Sequence, residues 1–250
     1  MGARGTTNVA LGAHPSSSSL QAALEASPLA AAIPAFSLVF LSELGDKTFF
    51  LAALLAARVG RRAAFAGSVG ALALMSIISA GIGAACKRVP DAMASSLPLS
   101  RWLSAGCLVW FGVATLRSAL ATPPTDGDES DGELAAAQEE LAEAEAAGRV
   151  AAGRLPRGSA VGLGVATAEV ASLIFLAEWG DRSMLATIAL AAAQGPVGVA
   201  AGAAAGDAVA TALAVLGGSL VSGWLSEKVI GVTGGVLFLV FAAATWAGFM

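Results

Sequence analysis

The sequence predicts an all-α integral membrane protein whose six transmembrane helices form two inverted repeats of three helices each. Three observations support this fold class: the composition is apolar, six stretches have the length of a membrane-spanning helix, and part of the first half recurs in the second. Apolar residues make up 56% of the 250 residues and charged residues only 13%, whereas soluble domains carry about 25% charged residues. A chain of this composition is expected to fold in a lipid bilayer.

The six apolar stretches follow one another along the chain. A bilayer core about 30 Å thick requires about 20 helical residues, and suitable stretches lie near residues 29–57, 63–85, 103–120, 170–193, 197–220 and 229–249. Residues 1–28 precede them and contain four consecutive serines, Ser16 to Ser19. This segment is compatible both with an organelle transit peptide and with a disordered tail.

A polar linker, residues 122–157, separates a first repeat at residues 29–121 from a second repeat at residues 158–250. Nine acidic residues lie between Asp126 and Glu145. The net charge of −4 is therefore due to this one loop, and nucleic acid is not an expected partner. Basic residues in the loops number eight on the linker side and four on the other, which predicts that the linker lies in the cytosol or the chloroplast stroma.

The two halves are related by an internal duplication. Residues 37–46 (SLVFLSELGD) align with residues 172–181 (SLIFLAEWGD) at an offset of 135 residues. Because each half has three spans, the second half must enter the membrane from the opposite side, as in secondary transporters with inverted repeats. Such repeats place equivalent motifs face to face near the middle of the membrane.

The two motifs place four acidic residues inside predicted spans, namely Glu43, Asp46, Glu178 and Asp181. Each charge at the centre of a membrane helix costs at least about 2.5 to 3.5 kcal/mol. Residues three apart share a helix face, so each motif is expected to direct two carboxylates to one place. Hard divalent cations such as Ca²⁺, Mn²⁺ and Mg²⁺ prefer oxygen ligands. Zinc and copper are disfavoured because the single histidine, His14, lies outside the spans.

Neighbouring residues extend this predicted metal site. Hydroxyl groups flank the acids, on Ser42, Thr48 and Ser183. Lys47 and Arg182 offset two of the four negative charges, and one divalent ion would neutralise the remainder if all four acids were ionised. When the ion is absent, crowded carboxylates in a low dielectric favour protonation. Exchange of one metal ion for protons is therefore our hypothesis for transport. The metal ion is cargo, and no cofactor is predicted.

A simpler alternative assigns the motif charges to structural ion pairs. Glu43 with Lys47, and Glu178 with Arg182, have the i, i+4 spacing of such pairs on a helix. This alternative explains neither the aspartate in each motif nor the presence of the set in both halves.

We make separate predictions for five other residues of the spans. Gly45 and Gly180 could let their helices unwind and expose carbonyl oxygens. Asp207 lies near the middle of the fifth span, where a role in the ion pathway or in proton handling and a polar contact between helices are both open. We expect Trp179 to line the cavity and Glu169 to be a solvated residue at the mouth of the fourth span.

Residues 43–48 (ELGDKT) and 178–183 (EWGDRS) both match the pattern E-x-G-D-[KR]-[ST]. In this the chain resembles the Gdt-one-like family of cation/proton antiporters, whose members carry two such motifs on inverted three-helix repeats. Residues 178–190 and 226–231 look closest to its chloroplast and cyanobacterial branch. The resemblance covers about residues 36–248 without the linker. It implies exchange of Mn²⁺ or Ca²⁺ for protons, with the motif acids as ligands, in a chloroplast thylakoid or envelope membrane or a cyanobacterial membrane.

Other classes of function are an enzyme, an assembly factor and a channel. The Gly-x-Gly-Asp signature of intramembrane aspartyl proteases is not met, because Glu43 and Glu178 occupy its first glycine position, and no enzymatic activity is predicted. A non-transporting assembly factor for a membrane complex remains an alternative. So does a cation channel, which also uses acidic rings. The oligomeric state is open, and a homo-oligomer is one possibility.

Overall fold

The structure, a computed structural model, describes residues 28–92, 99–121, 128–150, 160–217 and 227–247. Regular structure in these ranges is entirely helical, which confirms the all-α prediction for this part of the chain. The helices are α1 (Pro28–Glu43), α2 (Lys47–Val59), α3 (Arg61–Ala92), α4 (Leu99–Ala121), α5 (Asp128–Ala146), α6 (Ala160–Ala177), α7 (Arg182–Ala193), α8 (Pro196–Gly217) and α9 (Glu227–Ala247). The N-terminal segment before Pro28 lies outside the described residues.

The first and fourth predicted spans are each broken in two at an acidic motif. α1 and α2 meet at 70°, and α6 and α7 meet at 77°. Gly45 and Gly180 lie in the two breaks with φ of 76° and 89°, a left-handed conformation that glycine adopts without steric cost. The helices are therefore unwound at both glycines, as the sequence predicted.

Length and composition identify membrane spans among the described helices. Arg61–Cys86 of α3 and Pro196–Gly217 can each cross a membrane, and the number rises to four if each bent pair forms one span. The apolar parts of α4 and α9 described here, Ala105–Arg117 and Val232–Ala247, are shorter. Six spans therefore remain a prediction.

Large apolar side chains point outwards from these helices. Ile77 of α3, Leu176 of α6 and Val197 of α8 are 60%, 59% and 75% exposed. Helices that are apolar both inside and outside the bundle belong in a core or in a membrane. The outer surface therefore agrees with a lipid environment.

The two halves of the chain interlock. α1 of the first half packs on α8 of the second, α6 of the second packs on α3 of the first, and α3 and α8 also pack on each other. A Cβ atom at Gly198, Gly202 or Gly206 of α8 would collide with the α1 backbone, so these glycines permit the close approach of the two helices. Each half thus inserts its broken helix into the other.

The linker contributes a helix to the fold. α5 packs on α2 through Ala137, Leu141 and Ala144, which are buried in the apolar cluster that also contains Leu51 and Leu55. Two ion pairs join the same helices: Lys47 Nζ lies 2.6 Å from Glu140 Oε2, and Arg58 Nη1 lies 3.2 Å from Glu145 Oε1. The acidic linker is therefore docked against the first motif.

Candidate metal centre

The two helix breaks carry the acids of both motifs. Glu43 is the last residue of α1 and Glu178 follows α6 directly, whereas Asp46 and Asp181 are the N-cap residues of α2 and α7. The Asp181 carboxylate accepts a hydrogen bond from the Ser183 amide at 3.1 Å. Free amide groups and the helix dipole stabilise negative charge at such positions.

A turn, and not a shared helix face, brings each pair of acids together. The Asp46 amide donates to the Glu43 carbonyl at 3.4 Å, and the Asp181 amide donates to the Glu178 carbonyl at 3.1 Å. The prediction that i, i+3 spacing on one helix face brings the two acids of each motif together is therefore wrong. The helix is interrupted between the two acids because glycine adopts a left-handed conformation there.

Three of the four predicted ligands meet. Glu43, Glu178 and Asp181 each have one carboxylate oxygen within 4.8 Å of the others. Glu43 and Glu178 are only 4% and 2% exposed. Thr48 Oγ1 donates to Glu43 Oε2 at 3.3 Å, but Glu178 Oε2 has no hydrogen-bond partner. Because a buried oxygen without a partner is costly, this acidic cluster needs protons or a cation.

The fourth acid, Asp46, has a cationic partner instead. Arg182 of the second motif donates from Nη2 to Asp46 Oδ1 of the first at 2.8 Å. The other motif cation, Lys47, is paired with Glu140 of α5. Both motif cations are thus bound to acids other than those of the simple alternative, which paired Lys47 with Glu43 and Arg182 with Glu178. Within the described ranges, no basic side chain forms an ion pair with the three clustered acids.

Two pockets lie beside the acidic cluster. The first, which we name the α7 pocket, is small, and its polar lining comprises Ser76, Ser79, Glu178, Ser183, Thr187 and Asp207. The second, the α2 pocket, is also small and has the polar lining Glu43, Thr48, Ser68 and Thr211. Each glutamate of the cluster therefore faces a pocket of its own.

Two of the three hydroxyl residues that were predicted to support the metal site line a pocket. Thr48 and Ser183 line the two pockets, whereas Ser42 Oγ donates to the Val39 carbonyl of its own helix at 3.0 Å. Asp207 is 3% exposed and accepts a hydrogen bond from Ser76 Oγ at 2.9 Å. It therefore makes a polar contact between α3 and α8 and also lines the α7 pocket.

Two expectations from the sequence are wrong. Trp179 is 59% exposed and packs on Phe175, with ring centroids 5.2 Å apart, so it does not line either pocket. Glu169 does not lie at a helix mouth, because α6 begins at Ala160 and not near residue 170. The stretch before Glu169 continues the helix, with Val161, Leu163 and Val165 exposed on its surface among alanines and glycines.

Sequence reasoning also missed the pocket residues of α3. Ser68, Ser76 and Ser79 are buried and line the pockets. Their spacing of eight and three residues places them on one face of an otherwise apolar helix. This periodicity was the signal that could have identified them.

Comparison with known proteins identifies the family. A family model described as "Divalent cation/proton antiporter GDT1" matches residues 31–123 and 166–249, and these matched segments include both motifs. The chain belongs to this family. Members are antiporters of divalent cations and protons by that description, which is a class of transporters and not of enzymes. The family resemblance stated from the two motifs is thereby confirmed.

Similar proteins of the GDT1 family occur in plants and cyanobacteria. The chain is 45% identical over 220 residues to the chloroplastic PAM71-homolog of Arabidopsis thaliana and 46% identical over 222 residues to chloroplastic PAM71 of that plant. It is 38% identical over 210 residues to a GDT1-like protein of Synechocystis. The matches cover 86%, 85% and 84% of this chain. The predicted chloroplast and cyanobacterial branch is confirmed.

The lengths of these relatives differ. The matched region spans 58% of the PAM71-homolog and 55% of PAM71, but 93% of the Synechocystis protein. No solved structure matches the chain.

Proposed function

We propose that the chain transports Mn²⁺ or Ca²⁺ in exchange for protons and binds the metal ion between its two halves. One observation carries this proposal: Glu43 and Glu178 come from opposite halves, are almost fully buried, and lie with Asp181 inside a 4.8 Å cluster. A cluster of this kind has the charge and the oxygen ligands that a hard divalent cation requires.

The ligand set that we propose contains all four motif acids. Glu43, Glu178 and Asp181 bind first, and Asp46 joins when it releases Arg182. Ca²⁺ takes six to eight oxygen ligands, so Thr48, Ser183 and carbonyl oxygens of the two turns complete the shell. Carboxylates accept both Mn²⁺ and Ca²⁺, and the choice between them depends on ligand number and cavity size.

Proton exchange follows from the crowding of the same acids. Three carboxylates this close, in surroundings that exclude water, repel one another unless protons or a cation neutralise them. A metal ion that enters therefore displaces protons, and protons that enter from the other side displace the metal ion. The Asp46–Arg182 pair, which joins the two halves, is a contact that can break and re-form during this cycle.

For the whole molecule we propose six spans in two inverted repeats, with the linker on the stromal or cytosolic side. The matching breaks of α1–α2 and α6–α7 support this arrangement, as does the reciprocal packing of α1 on α8 and of α6 on α3. Chloroplastic relatives support a thylakoid or envelope membrane, and the Synechocystis relative supports a cyanobacterial membrane.

The test is uptake of radioactive Mn²⁺ and Ca²⁺ into proteoliposomes with an imposed pH gradient. The unaltered chain should give saturable uptake accompanied by proton efflux, and the two ions should compete. Glu43→Gln and Glu178→Gln should each reduce uptake at least about tenfold, since each removes a ligand. The matched control is Glu139→Gln, an exposed acid on α5, which should leave uptake unchanged.

Three outcomes would contradict this proposal. Uptake that ignores the pH gradient and moves no protons excludes antiport. Flux that does not saturate indicates a channel. A correctly inserted chain without any flux indicates an assembly factor.

A further inference from the structure

The two pockets beside the acidic cluster are copies of each other. At the repeat offset of 135 residues, three polar positions of the α7 pocket fall on polar positions of the α2 pocket. These pairs are Glu178 with Glu43, Ser183 with Thr48, and Ser76 with Thr211. The duplication therefore produced one pocket for each half, on either side of the clustered acids.

The copies differ at several polar positions. Ser79 of the α7 pocket corresponds to Ala214, and Ser68 of the α2 pocket corresponds to Ala203. Two further differences concern cation binding. Asp207 of the α7 pocket corresponds to Leu72, and Thr187 corresponds to Ala52 of the α2 pocket. The α7 pocket thus has a carboxylate and a hydroxyl where its copy is apolar. A buried acid in a membrane helix is costly, and this one is present in one half alone, so the general packing of the repeats does not require it.

The lining of the α7 pocket presents oxygen lone pairs. Ser76 donates its hydroxyl hydrogen to Asp207 at 2.9 Å. Ser79 donates to the Met75 carbonyl and Thr187 to the Ser183 carbonyl, each at 2.8 Å. With these hydrogens already used, the three hydroxyl oxygens can only accept. A set of acceptors suits a cation and would repel an anion.

One buried oxygen in this pocket also lacks a partner. Glu178 is 2% exposed and lines the α7 pocket, and its Oε2 atom has no hydrogen bond. Asp207 accepts one described side-chain bond, from Ser76, and a carboxylate has about four acceptor sites. Both acids therefore have capacity for an ion inside the same pocket.

The pockets occupy different levels along α3. Leu72 lines both pockets, and from it the α2 pocket extends along α3 towards Ser68 and the α7 pocket towards Ser79. The two serines lie about 16 Å apart along the helix. α3 begins next to the end of α2, the helix on which the linker helix α5 packs. The α7 pocket thus lies farther from the linker than the α2 pocket does.

We propose that the α7 pocket contains a second subsite for the transported divalent cation, formed by Asp207 with the hydroxyl oxygens of Ser76, Ser79 and Thr187. This proposal rests on the proposed function. The ion passes between this subsite and Glu178 of the central cluster. The α2 pocket, which lies nearer to the linker, has no equivalent subsite, because Leu72 and Ala52 occupy the positions that correspond to Asp207 and Thr187. The two directions of transport therefore differ in apparent affinity.

The experiment measures Mn²⁺ uptake into proteoliposomes that contain the full chain in one known orientation. Orientation is determined by protease cleavage of the linker from outside. Asp207→Asn and Ser76→Ala should each raise the half-saturating Mn²⁺ concentration at least about tenfold for entry from the side away from the linker. Entry from the linker side should change much less. The matched control is Ser172→Ala, which removes an exposed hydroxyl that donates to the Glu169 carbonyl and lines neither pocket, and which should leave entry from both sides unchanged.

Ser76→Ala makes the test independent of any folding defect in Asp207→Asn, since it removes one hydroxyl and leaves the carboxylate in place. Unchanged half-saturation in both variants, with normal uptake by the unaltered chain, would overturn the subsite and leave Asp207 as a helix contact. An unchanged half-saturation with loss of proton coupling would also overturn it, because Asp207 would then carry a proton. Absence of uptake by the unaltered chain would contradict the proposed function itself.

Discussion

At the scale of single residues, equivalent positions of the two motifs have different partners. Asp181 lies in the acidic cluster, whereas its counterpart Asp46 is bound to Arg182. Arg182 reaches across to the first half, while its counterpart Lys47 binds Glu140 of the linker helix. The sequence predicted that these charges would come together, but it could not assign the pairs, because each partner lies more than 90 residues away.

Arg182→Gln tests the pair between the halves. The substitution leaves the Asp46 side chain, which is 13% exposed, without its cation, so the metal-free protein should lose about 1 to 2 kcal/mol of stability. Mn²⁺ should restore more stability to this variant than to the unaltered chain, because Asp46 becomes free to bind it. Thermal unfolding in detergent, with and without Mn²⁺, measures both effects.

The double variant Asp46→Asn, Arg182→Gln is the control for this prediction. It removes both charges together and should regain most of the stability of the metal-free protein. A single variant as stable as the unaltered chain would show that the pair contributes nothing to the interface between the halves.

At the scale of helices, the break in each bent span creates the site. A continuous helix would spread Glu43 and Asp46 along one face, whereas the break places one acid at a helix end and the other at the next N-cap. The motif glycines made the breaks predictable. The start of α6 was not predictable from apolar periodicity, because residues 160–169 consist largely of small residues.

Gly180→Ala tests the break without a steric clash. A Cβ atom at this position would have nothing within 4 Å, but φ is +89°, and a left-handed conformation costs an alanine about 1 to 2 kcal/mol. We expect a lower unfolding temperature and reduced Mn²⁺ uptake, because straightening of the α6–α7 break would move Asp181 away from Glu178. Both are measured on the purified chain and in proteoliposomes.

Gly164→Ala is the matched control for the break. Gly164 also has open space around its Cβ position but lies inside α6, where alanine is favoured over glycine by about 1 kcal/mol. This variant should be at least as stable as the unaltered chain and transport normally. Equal behaviour of the two alanine variants would mean that the left-handed conformation of Gly180 is not needed.

At the scale of the whole molecule, the duplication made much of the architecture predictable. The constant offset of 135 residues between the two halves identified their equivalent elements and indicated that the two motifs would meet. The interlocking could not be predicted, because the packing of α1 on α8 depends on three glycines whose partner helix is more than 150 residues away in sequence. The additional polar residues of the α7 pocket could not be predicted either, since they come from three helices that share no motif.

Interlocked halves should fold only together. We expect that a chain cut between residues 150 and 160, which leaves α5 with its partner α2, reassembles when both fragments are co-expressed. Mn²⁺ should then raise the unfolding temperature of the complex about as much as it does for the intact chain. Each fragment alone should show no such increase, because Glu43 and Glu178 would be separated and α1 and α6 would lack α8 and α3 as packing partners.

Co-purification of the two fragments reports assembly. Glu43→Gln in the first fragment, or Glu178→Gln in the second, should leave the fragments associated but abolish the Mn²⁺ effect. A single fragment that binds Mn²⁺ by pairing with a second copy of itself would show that the exchange of broken helices between unlike halves is not required for the site.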